Sequence, residues 1–388
     1  MKLLHTSDWH LGRSFHGVGT LDAQRRFADQ LLETVTAEKV DVVLVAGDVY
    51  DRALPGVDVV NLFDDILARL NRAGVQVVVS SGNHDSATRL GFGGRLLESA
   101  GVHLRTRVAD LAVPVMLPLG GSGDGTEVAI YGIPFLEPRL VAEELGVENG
   151  THFSVTEAAL QRISADLATR APGTPSVVLA HTFASGGITS ASERELAIGG
   201  VGAVPLDLFE PFSYVALGHL HGRQRLCGSV RYSGSPLPYS FSEAAHIKGG
   251  WLLEITGDGL GEVRQVDWAP ERALSIVTGK LEELLSSPDW DFAQDNYCQI
   301  TLTDNERPEL AMDRLRTRFP HTLVLMFEPE TVRDGGAQSY GARIAKAADD
   351  LELCCGFLEH VRHRAANDDE QQLLRTALAA VREQEAAL

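Results

Sequence analysis

The sequence predicts an α/β fold in which β-sheets are flanked by helices in a layered sandwich. Short apolar runs recur along residues 1–272, and each stops abruptly at polar residues. Most of these runs are apolar at nearly every position, as in strands that are covered on both faces. Amphipathic helical patterns separate them, and this alternation of strand and helix is typical of layered α/β domains.

Six apolar runs are predicted to be strands. In chain order they are KLLHTSD (2–8), VDVVLVAGD (40–48), VQVVVSSGNHD (75–85), EVAIYGIP (127–134), SVVLAHT (176–182) and SYVALGHLH (213–221). Their β-branched and aliphatic residues favour buried strands. We expect these runs to form the interiors of the sheets.

Two segments between the first strands are predicted to be helices. In residues 57–74, apolar side chains recur at helical spacing, and Gly74 suits the helix exit. Residues 24–39 show a similar stripe that includes Phe27 and Leu31. Each helix therefore has one face that can pack on a sheet.

The pattern changes near residue 273. Residues 273–330 read as a small α+β unit of β-α-β-α-β order, and the last fifty residues read as helical with a break near 367–370. We therefore predict a core at 1–272, a capping domain at 273–330, and a linker with a helical tail at 331–388.

Composition restricts the function. The chain has 388 residues, with 53 acidic against 34 basic ones and a net charge of −19. A protein that holds nucleic acid by itself usually has a basic face, so metal ions or a partner would have to supply the attraction here. No apolar run approaches the roughly 20 residues that span a bilayer. The polar N-terminus and the spacing of the four cysteines fit the reducing cytoplasm.

Metal-ligand residue types follow five of the predicted strands. They are Asp8 and His10, then Asp48, then Asn83 with His84 and Asp85, then His181, and finally His219 and His221. Ligands bind at the carboxyl ends of strands in open α/β sheets, so these scattered residues are expected to converge. Because residues i and i+2 of an extended segment point the same way, we expect each D-x-H or H-x-H pair to face one metal site.

Carboxylates, imidazoles and an amide form a mixed ligand set that suits Mn²⁺, Fe²⁺ or Zn²⁺. The seven candidate ligands are too many for one tetrahedral ion, but two ions that share Asp48 would use them all. Two neighbouring metals form the usual clamp for in-line attack on phosphorus. A single histidine at a strand end is more often a structural residue, yet five such histidines in an ordered series favour phosphoester hydrolysis.

This ordered series resembles the calcineurin-like metallophosphoesterases. The segments HTSDWHLGRSFHG, VAGDVYDRALP, SGNHDS, LAHTF and GHLHGRQ…YSGSPLPYSFSE are similar to the SbcD family of bacterial nuclease subunits. The resemblance implies a four-layer sandwich of two mixed β-sheets flanked by helices, with a small α+β capping domain and a helical C-terminal tail.

The resemblance also implies roles for individual residues. One metal would be held by Asp8, His10, Asp48 and His221, and the other by Asp48, Asn83, His181 and His219. His84 would be a catalytic histidine that binds no metal and that protonates the leaving 3′-oxygen or stabilises the phosphate in the transition state. Asp85 would orient His84 through a hydrogen bond. Four basic residues near the ligands, Arg13, His16, Arg52 and Arg89, are candidates for phosphate contacts.

The activity that the resemblance implies is cleavage of DNA in repair, recombination and replication. Family members are Mn²⁺-dependent 3′-to-5′ double-strand exonucleases and hairpin or single-strand endonucleases. They form homodimers and work with an SbcC/Rad50-type ATPase, onto whose coiled coil the tail would dock. Two alternatives remain open. One is another calcineurin-like enzyme, such as a cyclic-nucleotide phosphodiesterase, nucleotide pyrophosphatase or protein phosphatase, and the other is a non-catalytic scaffold on the same fold.

Overall fold

The computed structural model describes residues 1–120, 125–191, 193, 202–330, 350–362 and 364–386. Residues 331–349, with which the predicted linker and tail at 331–388 begin, lie outside these ranges. The described chain forms two units, Met1–Glu328 and Pro329–Leu388, and each is considered by itself.

Seventeen strands lie in the first unit of the described chain. They are β1 Lys2–Thr6, β2 Ser14–Phe15, β3 Val18–Gly19, β4 Val42–Ala46, β5 Gln76–Ser80, β6 Val102–Arg105, β7 Val115–Pro118, β8 Glu127–Gly132, β9 Ser176–His181, β10 Tyr214–Gly218, β11 Gln224–Arg225, β12 Val230–Tyr232, β13 Gly249–Thr256, β14 Gly259–Asp267, β15 Leu274–Gly279, β16 Tyr297–Leu302 and β17 Thr322–Phe327. Each of the six runs predicted to be a strand contains one of these strands.

Ten α-helices occur in the described ranges. They are α1 Leu21–Glu38, α2 Val57–Arg72, α3 Ala87–Leu90, α4 Gly94–Leu97, α5 Pro138–Leu145, α6 His152–Leu167, α7 Leu281–Ser286, α8 Ala311–Arg316, α9 Asp350–Arg362 and α10 Asp368–Ala386. Both helices predicted before residue 75 are present as α1 and α2. Within the described ranges, none of the helices is long and apolar enough to cross a membrane.

Two six-stranded mixed sheets form the centre of the first unit. Their strand orders are β14-β13-β1-β4-β5-β6 and β11-β12-β10-β9-β8-β7. The inner strands β1, β4 and β5 run parallel to one another, as do β8, β9 and β10. The five strands that precede the candidate ligands are therefore central parallel strands.

Three apolar clusters divide this unit into four layers. Leu44 of the first sheet and Leu179 of the second belong to the cluster between the two sheets. Leu31 of α1 and Ile66 of α2 belong to a cluster on the outer face of the first sheet, and Ile163 of α6 belongs to the matching cluster on the second. The predicted sandwich of two mixed sheets flanked by helices is thereby confirmed.

Residues 274–327 form a separate small sheet of β15, β16 and β17, all parallel, with α7 and α8 in the connections. This is the predicted order of elements, and the segment has an apolar cluster of its own that includes Ile300 and Phe319. The second unit contains the helices α9 and α10. The exact division into three domains stays a prediction.

Candidate metal centre

The candidate ligands converge at the carboxyl ends of five parallel strands, as the sequence predicts. The strands β1, β4 and β5 lie side by side in one sheet, and β9 and β10 are neighbours in the other. Paired positions at these ends are Ala46 with Ser80 and His181 with Gly218. Six of the seven candidate ligands are buried, and Asn83 is half-buried: Asp8, His10, Asp48, His181, His219 and His221 make up the buried set.

One half of the centre consists of Asp8, His10 and His221. Their ligand atoms all lie within 4.8 Å of one another. The Nε2 atoms of His10 and His221 are 3.2 Å apart. Both Asp8 oxygens accept hydrogen bonds from the backbone N–H of His219, at 3.0 and 3.1 Å, so this carboxylate is fixed in place. We call this set the first half.

The other half consists of Asn83, His181 and His219. Asn83 Oδ1 lies 3.0 Å from His181 Nε2 and 3.2 Å from His219 Nδ1. The two imidazole nitrogens are 3.3 Å from each other. We call this set the second half.

Asp48 lies between the halves. Its Oδ2 atom is 3.5 Å from His10 Nε2 in the first half and 3.3 Å from His181 Nε2 in the second. Its other oxygen, Oδ1, accepts a hydrogen bond from the backbone N–H of His84 at 2.9 Å. A single carboxylate oxygen therefore faces both halves, as a bridging ligand would.

The backbone is strained at this centre. Positive φ values occur at Asp8 (53°), His10 (43°), Asp48 (50°) and His219 (105°), all of which are candidate ligands. Residues with a side chain rarely adopt such values, and those that do cluster at functional sites. The fold holds these four side chains in place at a cost in conformational energy.

Two glycines let the loops approach closely. A Cβ atom on Gly82 would lie 2.1 Å from Asp48 Oδ1, and one on Gly218 would lie 1.8 Å from the carbonyl oxygen of Ala46. Real Cβ atoms do not come this close to other atoms. Any side chain at these positions would push the strand ends apart and displace the ligands.

The prediction that His219 and His221 face the same metal site is wrong. His219 faces the second half, beside Asn83 and His181, while His221 faces the first half. The alternation rule assumes extended backbone, and His219 departs from it with its φ of 105°. The two histidines therefore diverge, as the family resemblance implies.

His84 lies at the edge of the centre and is half-buried. Its ring is 4.7 Å from the His10 ring, edge to face, and a ring nitrogen lies within 4.8 Å of ligand atoms of His10 and Asp48. Nδ1 of His84 is 2.9 Å from the backbone carbonyl oxygen of Asp51. Since a carbonyl oxygen only accepts, Nδ1 carries a proton there, and Nε2 takes no part in this hydrogen bond.

Asp85 has a different role from the predicted one. Its Oδ2 accepts from the backbone N–H groups of Val49 and Gly82, and its Oδ1 accepts from that of Tyr50. The carboxylate thus fastens the loop after β4 to the loop after β5, and His84 is oriented by the Asp51 carbonyl instead. Burial raises the pKa of Asp85 to about 7.

Burial and charge set the ionisation of the ligands. Burial raises the pKa of Asp8 to about 6 and lowers the pKa of His10 and, to about 3, that of His219. Burial opposes a charge on His181 too, but the Asp48 carboxylate outweighs it and raises the pKa of His181 to about 9. The same pairing holds the pKa of Asp48 below its usual value, against the effect of its burial.

These residues fit divalent metal ions. Nδ1 of His181 is 2.9 Å from the Ala46 carbonyl, so its Nε2 can face the oxygens of Asp48 and Asn83 only with an added proton or with a cation between them. Two ligand atoms at about 2.1 Å from one ion lie about 3.0–3.4 Å apart for angles between 90° and the tetrahedral value. Most of the N···N and N···O separations above fall in that range.

Sequence reasoning missed several residues that touch the ligands. Glu193, Glu243 and Lys248 form a buried charged group around His221. The Tyr239 ring packs edge-on against the His10 and His221 rings, at 5.5 and 5.9 Å. Glu243 and Tyr239 lie in YSGSPLPYSFSE (232–243), a segment that resembles the SbcD family. That resemblance was the only indication in the sequence that these two residues belong to the site.

The predicted phosphate-contacting residues lie at different places around the centre. Arg13 stacks over the Tyr239 ring at 5.1 Å and has its Nη1 3.8 Å from Asp51 Oδ1. Arg52 is 80% exposed beside the same aspartate, and Arg89 and His16 are exposed. Phosphate contact by these four residues stays a prediction.

Comparison with known proteins supports this description. The calcineurin-like phosphoesterase family model matches residues 1–223. The SbcD component of the SbcCD nuclease of Staphylococcus saprophyticus is 31% identical over 331 residues, which are 84% of this chain and 84% of that relative.

Among solved structures, a protein of Thermus thermophilus has 13% identity and a TM-score of 0.40, over 69% of this chain and 98% of that one. A dimetal phosphatase from Danio rerio has 12% identity and a TM-score of 0.40, over 69% and 99%. Both likenesses are too distant to carry an argument. The family model and the curated relative suffice: the chain is a phosphodiester hydrolase that belongs to the calcineurin-like phosphoesterase family and, within it, to the SbcD nucleases.

Proposed function

We propose that this chain is the nuclease subunit of an SbcCD-type, ATP-dependent complex that acts in DNA repair and recombination. It would work as a 3′-to-5′ double-strand exonuclease and as a hairpin or single-strand endonuclease. The observation that carries this proposal is the position of Asp48 Oδ2, within 3.5 Å of a histidine from each half of the centre. A scaffold that had lost its activity would have no reason to keep both halves and the strained backbone between them.

The two halves would each hold one divalent ion, and Mn²⁺ is the ion we propose. Two such ions polarise a phosphodiester and supply an activated water for in-line attack. Asp8, His10 and His221 would hold the first ion, Asn83, His181 and His219 the second, and Asp48 both. These ligands combine nitrogen and oxygen donors, which suits Mn²⁺ better than Mg²⁺.

His84 would move a proton during cleavage. Its Nδ1 donates to the Asp51 carbonyl, so Nε2 is the atom that can protonate the leaving 3′-oxygen. The backbone N–H of His84 is held by Asp48, which fixes the imidazole relative to the metal ligands. Asp48 would therefore serve both functions: its Oδ1 holds the backbone of His84, and its Oδ2 faces both metal sites.

A partner would supply the grip on DNA. The net charge of −19 opposes stable contact of this chain alone with a polyanion. The SbcCD name of the relative implies such a partner, an SbcC-type ATPase. A cytoplasmic complex agrees with the four free thiols, Cys227, Cys298, Cys354 and Cys355.

The docking site for this ATPase would be the tail. On α9, Leu353, Phe357 and Val361 recur every four residues and are 40%, 50% and 56% exposed. Such a stripe on one helix face fits the apolar seam of a coiled coil. Leu353→Glu with Val361→Glu should abolish co-purification with the ATPase and leave hydrolysis of bis-p-nitrophenyl phosphate unchanged. Leu140→Glu on α5, an 80% exposed site, is the matched control, and equal co-purification of both variants would refute the docking.

A homodimer would use a second apolar surface. Leu54, Val57 and Val60 at the start of α2 and Phe92 and Leu96 near α4 are between 43% and 86% exposed. Arg89 Nη1 donates to the carbonyl of Ala53, so the two segments adjoin. Exposed apolar clusters of this kind mark protein interfaces. Phe92→Glu with Leu96→Glu should shift the mass in solution from dimer to monomer, and an unchanged mass would contradict this.

The function is tested by cleavage assays on blunt, hairpin and single-stranded DNA with Mn²⁺. Each assay is run with and without the ATPase subunit, beside a cyclic nucleotide. We expect cleavage of all three DNA forms, with ATP-dependent cleavage of the double-stranded ends when the ATPase is present. Cleavage of the cyclic nucleotide but of no DNA would replace this proposal with a small-molecule phosphodiesterase.

A further inference from the structure

A buried charged group lies behind His221, on the side away from the other ligands. Its members Glu243 and Lys248 are only 1% and 3% exposed. Charged side chains are almost never buried so completely unless they are paired. Neither of them can reach solvent, so their role must concern what they touch.

Glu243 contacts the ring of His221. Its Oε1 is 3.2 Å from His221 Nδ1, while Nε2 of the same ring faces His10 at 3.2 Å. A carboxylate only accepts hydrogen bonds, so Nδ1 must carry the proton. In the neutral ring, Nε2 then presents its lone pair toward the first half.

Lys248 holds Glu243 in its charged form. Nζ of Lys248 lies 2.5 Å from Glu243 Oε2 and also donates to Ser235 Oγ at 2.9 Å and to the His221 carbonyl at 3.0 Å. The ammonium thus fixes one carboxylate oxygen and leaves the other for the histidine.

Glu193 lies close by with a different task. Its Oε1 accepts from the backbone N–H of His221 at 2.7 Å, and its Oε2 accepts from the backbone N–H of Ser190. Its distance to His221 Nδ1 is 3.5 Å, longer than that of Glu243. Glu193 therefore places the backbone of the loop, and Glu243 is the group that addresses the ring.

We propose that Glu243 is a positioning residue that fixes the tautomer and orientation of His221 for metal binding, with Lys248 fixing Glu243 in turn. The proposal rests on the proposed metal centre and deepens it. A carboxylate behind a histidine ligand orients the ring and makes its other nitrogen a better donor. Glu243 and Lys248 would therefore raise the affinity of the first half for metal without binding metal themselves.

Glu243→Gln provides the test, because Lys248 dictates how the new amide lies. The ammonium can only donate, so it claims the amide oxygen and turns the amide NH₂ toward His221 Nδ1. That nitrogen must then accept, and the proton moves to Nε2, the ligand atom. We expect one of the two Mn²⁺ ions to bind about 10- to 100-fold more weakly, as measured by equilibrium dialysis with metal analysis.

The tautomer itself is the readout that a merely structural role would not change. In ¹⁵N-histidine-labelled, metal-free protein, at a pH high enough for the His221 ring to be neutral, the His221 signals should show a protonated Nδ1 in the wild type and a protonated Nε2 in Glu243→Gln. Adding Lys248→Met frees the amide to turn its oxygen toward Nδ1. The double variant should therefore restore both the tautomer and most of the lost affinity.

The matched control is Asp166→Asn. Asp166 accepts from Tyr131 and pairs with Arg170, so it is also a hydrogen-bonded carboxylate, but it touches no candidate ligand. This control should bind two ions with wild-type affinity. Glu243→Gln with two wild-type affinities or with an unchanged tautomer would overturn the proposal. A wild-type chain that binds no Mn²⁺ would instead overturn the proposed function.

Discussion

The two halves of the metal centre hold their histidines in different ways. In the second half, His181 rests its Nδ1 on a backbone carbonyl, that of Ala46. In the first half, His221 rests its Nδ1 on the carboxylate of Glu243, and His10 Nδ1 has no hydrogen-bond partner among the described residues, with Asp51 Oδ1 3.7 Å away. His181 is thus oriented by the backbone of a strand, and His221 by a side chain.

This difference follows from the fold. Ala46 is the last residue of β4, and His181 is the last residue of β9 in the other sheet. Packing of the two sheets places the Ala46 carbonyl next to the His181 ring, where it accepts the hydrogen bond from Nδ1. His221 lies three residues beyond β10, where the regular backbone has ended. There, Glu243, which is paired with Lys248, provides the hydrogen-bond acceptor that the Ala46 carbonyl provides for His181.

Asp48→Ala removes the one group that both halves share, so it should have the largest effect. We expect both Mn²⁺ ions to be lost and hydrolysis of bis-p-nitrophenyl phosphate to fall at least about a thousandfold, because metal polarisation is worth several kcal/mol. Metal analysis and a rate measurement on the same sample test this. Asp166→Asn is again the control, and full Mn²⁺ occupancy in Asp48→Ala would remove the bridging assignment.

His84→Ala should separate chemistry from metal binding. Because His84 binds no metal in this account, both halves should keep their ions while hydrolysis falls about 10²- to 10⁴-fold, the usual contribution of a general acid. His10→Ala is the matched comparison, since it should lose activity and the ion of the first half together. Loss of both ions in His84→Ala would show that this histidine is itself a ligand.

A smaller effect concerns pH and tests the pairing of His181 with Asp48. Asp48 raises the pKa of His181 to about 9 although burial opposes it, so the metal-free ring keeps an extra proton at neutral pH. A metal ion must displace that proton, so apparent affinity should rise with pH, by up to about tenfold per unit, between about pH 6.5 and 8.5. Titration calorimetry in buffers of different ionisation enthalpy counts the released protons. An affinity that does not change with pH would contradict the His181–Asp48 pairing.

The convergence of the candidate ligands could be predicted from the sequence because each of them lies at or just beyond a strand end. Asp48 lies two residues beyond the end of β4, and His181 is the last residue of β9. A strand end places a residue at a known edge of a sheet, so polar residues at several such ends predict a site. The layered fold follows from the same apolar runs.

The supporting residues obey no such rule. Glu243 and Lys248 come from a segment between β12 and β13, and only the folded chain brings them behind His221. The resemblance implied that Asp85 orients His84, but the structure shows no such contact for this carboxylate. The carboxylate instead meets the backbone of Val49 and Tyr50, more than thirty residues away.

The most direct test of the central claim is a titration of the metal-free protein with Mn²⁺, in which bound ions per chain and DNA cleavage are measured on the same samples. The account predicts that two ions bind per chain and that cleavage rises with occupancy of the second ion. Full cleavage with a single ion bound, or with none, would contradict the claim that catalysis needs two ions that share Asp48.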